Sequence, residues 1–129
     1  MKKFYVGCKG VIRNTHDVLL LRPNGPGPAW DLPGGRIDGD ESIEQALRRE
    51  LAEELPGISD VRIGNLIGCA RVRDISDELG LLLVLFHVQA KLPDPIQLSH
   101  EHASCEWISL RRAGEELSDL RALFDTLET

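Results

Sequence analysis

The stretch from Gly34 to Ile58, GGRIDGDESIEQALRRELAEELPGI, constrains this chain more than any other: a double glycine precedes a helix that carries Glu50, Glu53 and Glu54. Stepping about 100° per residue, these three glutamates fall on the same side as Ile43, Ala46 and Leu47, with Gln45, Arg48 and Ala52 opposite. A surface helix ordinarily turns its apolar stripe inward and its charges outward. Acids on the core-facing side repel one another and lose hydration unless a cation sits among them. Two readings follow: a solvated acidic helix with an irregular stripe, or a carboxylate cluster that holds a divalent metal. The phase favours the second.

Composition narrows what such a cluster serves. The length of 129 residues predicts one domain, residues 1–129, with a real hydrophobic core. Fractions of 42% hydrophobic and 28% charged residues are those of an ordinary globular protein. A formal charge of -6 argues against stable nucleic-acid binding and against an anionic membrane surface. An anionic substrate therefore needs a metal or locally placed arginines. Cys8, Cys69 and Cys105 are odd in number, widely spaced and without a CxxC pair, so buried, reduced thiols in a cytoplasmic protein are expected. MKKFYVGCKG lacks the apolar stretch of a signal peptide, and the longest apolar run, Leu81 to Phe86, is too short to span a bilayer.

Along the chain, Phe4 to Arg13 and Val18 to Arg22 read as strands joined by the turn Asn14 to Asp17. Pro23 to Pro28 is a loop. Ser42 and Gln45 fit a capping box for a helix running to about Leu55, stopped by Pro56-Gly57. Val61 to Val72 and Leu79 to Gln89 read as strands, the second apolar enough to be central and covered on both faces. After a loop from Lys91 to Glu101 comes a short strand, Cys105 to Ile108. Leu117, Leu120, Leu123, Phe124 and Leu127 then keep helical spacing between Leu110 and Leu127, with a separate first turn over Arg111 to Gly114 as the alternative. The expected class is α/β (α+β): a mixed β-sheet sandwiched between helices in a single domain.

Gly35, five residues, Glu41, seven residues, then Arg49-Glu50-Leu51-Ala52-Glu53-Glu54 resembles the Nudix box, G-x5-E-x7-R-E-U-x-E-E-x-G-U, of the Nudix hydrolases, with residues 35–58 as the box. One departure stands out: Leu55-Pro56-Gly57 carries one residue more than the pattern before its glycine. Trp30-Asp31-Leu32-Pro33-Gly34-Gly35 is similar to the family's W-x-L-P-G-G approach, and the run from His102 to Leu110 to its usual path into the last helix. The resemblance is MutT-like and implies a Nudix fold with Mg²⁺ or Mn²⁺ as cofactor. It implies Glu53 and Glu54 as ligands, Glu50 as a ligand or water-orienting group, and the Gly35 carbonyl as a further donor. It also implies a structural ion pair between Glu41 and Arg49. On physical grounds, carboxylates three and four residues apart converge on one patch, and a divalent ion there neutralises phosphate charge and activates water. A glycine at position 35 permits a positive φ and a close backbone approach.

Other candidates are looser. Glu101 is the candidate base or additional ligand, with Glu106 as competitor. His100, His102 and Cys105 match no standard zinc spacing, so packed or exposed side chains are the default. Trp30 either stacks on a base or packs in the core. Arg22, Arg71 and Arg73 are possible phosphate contacts, the last two sharing a strand face. The expected activity is metal-dependent hydrolysis of a diphosphate linkage in a nucleoside diphosphate derivative, foremost a nucleoside triphosphate. Alternatives are NDP-sugars, ADP-ribose or dinucleoside polyphosphates, a nucleotide-sensing module without turnover, and more remotely a diphosphate isomerase. A homodimer is compatible with the polar rim of the sheet.

Overall fold

Alternation along the strands separates two cores. In β1 (Lys3–Ile12) Cys8 and Ile12 point to one face and Val11 to the other. In β2 (Asp17–Pro23) Leu19 and Leu21 join the first core, Val18 and Leu20 the second. The structure, a computed structural model, describes residues 1–127. Between β1 and β2 the Asp17 N–H donates to Asn14 Oδ1 at 3.1 Å, which closes the expected turn.

The remaining elements are β3 (Gly34–Arg36), α1 (Ile43–Glu54), β4 (Ser59–Val72), β5 (Leu79–Lys91), β6 (His102–Ser109), α2 (Leu110–Glu116) and α3 (Arg121–Asp125). A four-stranded mixed sheet has the order β3-β1-β5-β4, with β1 and β5 parallel and the outer pairs antiparallel. β2 and β6 form a separate antiparallel pair. β5 is an inner strand, as its apolar run predicts, with Leu83 and Leu85 facing one core and Val88 the other. Its cover is incomplete, since Leu82, Val84 and Phe86 stay half-buried. β4 lies at the sheet's edge, and its pairing to β5 slips between Ser59 and Arg62, between Ile63 and Leu66, and between Leu66 and Gly68.

Helices cover both faces. α1 buries Ala46, Leu47, Leu51 and Leu55 against Cys8, Ile12, Leu19, Leu21 and Val88. The C-terminal helices bury Leu110, Ala113, Leu120 and Phe124 against Val11, Val18, Leu20, Leu83, Leu85 and Ile108. The capping box forms as expected: Ser42 Oγ accepts from the Gln45 N–H, and Gln45 Oε1 accepts from the Ser42 N–H. The expected continuous helix to Leu127 does not form. α2 closes at Leu117, a short 3-10 turn follows over Ser118–Leu120, and α3 folds back onto α2. Gly114 faces the returning chain, where an added Cβ would sit in ordinary contact with Phe124 Cβ at 3.5 Å and Arg121 Cγ at 3.6 Å.

Three smaller expectations are corrected. The double glycine is not merely a turn: Gly34, Gly35 and Arg36 pair with Lys9, Cys8 and Gly7. The positive φ, +136°, belongs to Gly34, where a Cβ would strike the Cys8 carbonyl, and Gly35 has none. Of the cysteines, Cys8 is buried, Cys105 half-buried and Cys69 exposed, because Cys69 lies on the edge strand. The additional residue at the end of the box is absorbed locally. Leu55 caps α1 and is fully buried, Pro56 faces solvent, and Gly57 takes φ +86° before β4 begins. Among the described residues, no helix is long and apolar enough to cross a membrane.

Leu51 anchors α1 and touches the strand floor at Gly10, where an added Cβ would come within 3.7 Å of it. Leu51→Ala is expected to cost about 2–5 kcal/mol of unfolding free energy, measured by urea denaturation.

Candidate active site

Glu54, the last residue of α1, is buried at 8% exposure although it carries a carboxylate. Its Oε1 accepts a hydrogen bond from the Gly34 N–H at 2.7 Å, and its Oε2 lies 3.7 Å from His102 Nε2. Burial pushes the Glu54 carboxyl up to about 7, opposed by the Gly34 hydrogen bond and the Lys9 charge. Burial also lowers His102 from its ordinary value, so the imidazole is neutral at neutral pH and the contact is not an ion pair.

The three box glutamates are not equally core-facing. Only Glu54 is buried; the side chain of Glu50 is 19% exposed and that of Glu53 is 60% exposed. Glu54 lies at the edge of the stripe formed by Leu47, Leu51 and Leu55, about 20° beyond Leu47. Glu50 is turned roughly 40° away from Glu54 and Glu53 about 60° further, at ~100° per residue. Ile43 lies in the first turn and projects into solvent.

Arg49 holds this rim. Its guanidinium grips Glu41 through both carboxylate oxygens, at 2.7 and 2.9 Å, and donates to the Arg36 carbonyl at 3.2 Å. Its Nη1 also reaches Glu50 Oε1 at 2.8 Å and lies 3.6 Å from Glu53 Oε2. Arg49 thus makes the pair with Glu41 that the resemblance implies and contacts two box carboxylates besides. The Arg49 hydrogen bonds, with one from the Asp38 N–H, hold the Glu41 carboxyl below its ordinary value.

The carboxylate cluster expected from the helical phase is not closed as the side chains stand. Among the described residues, no three His, Cys, Asp or Glu side chains are gathered closely enough to hold an ion. Arg49 supplies the positive charge beside Glu50 and Glu53 instead. The donor set still fits a hard divalent cation, which takes carboxylate and carbonyl oxygens. Gly35 is packed so tightly on Glu50 that an added Cβ would fall within 2.7 Å of both carboxylate oxygens. The Glu50 carboxylate as it stands thus occupies the space that a side chain at position 35 would need.

Glu101 is exposed and sits in a segment docked on this helix end: the Ser99 N–H donates to the Glu54 carbonyl at 3.2 Å. Asn24 ties the same segment to the Pro23–Pro28 loop, its N–H to the Glu101 carbonyl and its Nδ2 to the His100 carbonyl. The sequence candidates for substrate contacts lie elsewhere. Trp30 is buried in the core, with the Arg22 guanidinium 4.5 Å over its ring, so its ring is not free to stack on a base. Arg71 pairs with Asp74 and lies over Phe4. Arg73 does not share its strand face, because β4 ends at Val72. A concavity of about 370 Å³, lined by Ile12, Val88 and Trp107 among others, shares no residue with the carboxylates.

Two participants were missed from sequence. Lys9 and Asp31 meet at 3.1 Å beside the Gly34 turn, and their only sequence signal is a lysine inside an otherwise apolar strand. For His102 the expectation was a packed or exposed side chain, and it is packed, buried against Glu54.

A family model for the NUDIX domain matches residues 2–126. The chain belongs to the NUDIX family. Its NUDIX domain is 34% identical over 118 residues to the CTP pyrophosphohydrolase of Escherichia coli (strain K12), covering 88% of this chain and 81% of that protein. It is 46% identical over 48 residues to a putative 8-oxo-dGTP diphosphatase of Bacillus subtilis (strain 168), a match spanning 37% of this chain and 32% of that relative. In three dimensions it is similar to the MutT protein from Methanosarcina mazei Go1, with a TM-score of 0.79, 28% identity, and 97% and 93% of the two chains covered. These relatives establish the mixed-sheet Nudix fold and a family of hydrolases that act on pyrophosphate bonds.

The buried Glu54 makes a pH prediction. Its folded value of about 7 lies above the ordinary 4.5. Between those values the folded protein keeps a proton that the unfolded chain has released, so stability falls as pH rises through that window. In EDTA, Glu54→Gln is expected to be more stable than the parent at pH 8 by roughly 3 kcal/mol, with the gap closing by pH 4, read from urea midpoints.

Proposed function

We propose that this protein is a Mg²⁺- or Mn²⁺-dependent pyrophosphohydrolase of nucleoside triphosphates, releasing pyrophosphate and a nucleoside monophosphate. The observation that carries the reading is the meeting of Glu50 and Glu54 with the Gly34–Gly35 backbone at the end of α1. The substrate class is supported by the nearly full-length similarity to a protein named for CTP and by partial similarity to proteins named for 8-oxo-dGTP.

Glu50, Glu53, Glu54 and the Gly35 carbonyl would hold the ion. When bound, it neutralises phosphate charge and lowers the pKa of water for attack on phosphorus. The chain's own residues do the rest. Glu54 is aimed by the Gly34 N–H, and its ionisation is favoured once a cation offsets its burial. Arg49 keeps the Arg36–Glu41 loop against the helix and so holds Gly35 beside Glu50. Glu101, exposed on the segment docked at Glu54, accepts a proton from the attacking water. Arg22, stacked over Trp30, Arg71, paired with Asp74, and Arg73, beyond the end of β4, are assigned no phosphate contact. Trp30 is assigned no contact with the base.

Incubation with nucleoside triphosphates, 8-oxo-dGTP, NDP-sugars, ADP-ribose and dinucleoside polyphosphates tests the reading directly. Pyrophosphate release from a triphosphate is expected with Mg²⁺ or Mn²⁺ and not with EDTA. Glu53→Gln and Glu54→Gln should abolish turnover with a native circular dichroism spectrum. Full activity in both variants removes the ion assignment, and hydrolysis confined to ADP-ribose or a sugar diphosphate removes the triphosphate assignment.

A further inference from the structure

Among the described residues, Lys9 and Glu54 are the charged side chains classed as buried, each 8% exposed. They hold opposite sides of the same residue. Lys9 stands directly across from Gly34 in the β1–β3 register. Its Nζ donates to the Gly34 carbonyl at 3.4 Å, to the Leu32 carbonyl at 3.2 Å and to Asp31 Oδ2 at 3.1 Å. On the other side the Gly34 N–H donates to Glu54 Oε1.

An ammonium has three donors, and all three are occupied here. That arrangement answers the cost of burying a lysine, and it leaves no N–H for a substrate phosphate. Lys9 therefore touches no reacting group. What it touches is the backbone most in need of restraint: consecutive glycines, one at φ +136°, where the chain has its widest conformational freedom. The Gly34 carbonyl belongs to the peptide that links Gly34 to Gly35, so fixing that oxygen fixes the peptide plane. That plane carries the Gly35 N–H, and the Gly34 N–H and the Gly35 carbonyl lie in the two peptides that flank it, so restraining it narrows the swing of both.

We propose that Lys9 is a positioning residue for the ion site: its ammonium, with Asp31, locks the Gly34–Gly35 backbone so that Glu54 and the Gly35 carbonyl are presented together. The proposal rests on the ion-site reading given above. A merely structural lysine would change stability and leave ion affinity alone once the protein is folded. A positioning lysine changes affinity in the folded protein, because the groups that orient ligands typically contribute tenfold to a hundredfold to it.

The test is Mn²⁺ binding, by calorimetry and by electron paramagnetic resonance, to the parent, Lys9→Met and Asp31→Asn. Folding of each is checked by circular dichroism at the working temperature. Lys9→Met is expected to raise the Mn²⁺ dissociation constant about tenfold. Its kcat should recover at high Mn²⁺, with the nucleotide KM unchanged there. Asp31→Asn, whose side chain is partly exposed, should weaken Mn²⁺ binding in the same direction by a smaller factor. A folded Lys9→Met with the parent's Mn²⁺ affinity overturns the proposal. Where Lys9→Met does not fold, an Asp31→Asn protein with unchanged affinity overturns it equally. A parent protein that binds no Mn²⁺ overturns the ion-site reading itself, an outcome distinct from parent binding that Lys9→Met leaves untouched.

Discussion

The hydrogen bond from the Gly34 N–H to Glu54 joins two elements twenty residues apart in sequence, and the site depends on it. A carboxylate on the inward side of a helix loses its hydration, and a backbone N–H restores part of what water supplied. Because the donor lies in β3, the helix end cannot move without dragging the glycine strand along. Further contacts converge on the same joint: Lys9 from β1, the Ser99 N–H from the loop before β6, and His102 from β6 itself. Four parts of the chain thus meet on the last turn of α1, and the catalytic reading follows from their meeting rather than from the helix alone.

Arg49 solves a different problem. Glu41, Glu50 and Glu53 crowd one side of the helix, and like charges so close raise the free energy of the folded state. A single guanidinium, with its planar set of five donors, reaches all three carboxylates as well as the Arg36 carbonyl. The rim therefore carries a cation from its own chain. Glu54, deeper in the fold, does not share it and instead has its carboxyl raised by burial. Arginine thus holds the Glu41 carboxyl below its ordinary value while the core raises that of Glu54.

Much of this was legible in sequence where a pattern extends over many residues. The capping box at Ser42, the helix it starts, the long strands, and the box of glycine, glutamates and arginine all have spacing that repeats or matches a motif. Short or three-dimensional features were not legible. Gly34 to Arg36 is too brief to show alternation, so its pairing with β1 could not be read. Helical phase brought the glutamates to one side, but neighbours decided that Glu54 is enclosed while Glu53 is open. Lys9 interrupts an apolar strand with one residue, and nothing local says that Asp31 and two carbonyls wait for it. The C-terminal break at Leu117 brings Phe124 back towards Gly114 across a turn, a contact that periodicity along one helix does not encode.

The irregular pairing of β4 has a consequence for how copies of this protein meet. An edge strand of fourteen residues offers a long row of unpaired amides, the kind of surface on which a second chain can add itself. Three register slips break that row into short pieces whose hydrogen-bonding directions do not line up. A passing strand finds only a few amides in step before the next slip ends the match. The outer margin of the sheet is thereby guarded against open-ended stacking by its own backbone, without a proline or a covering helix.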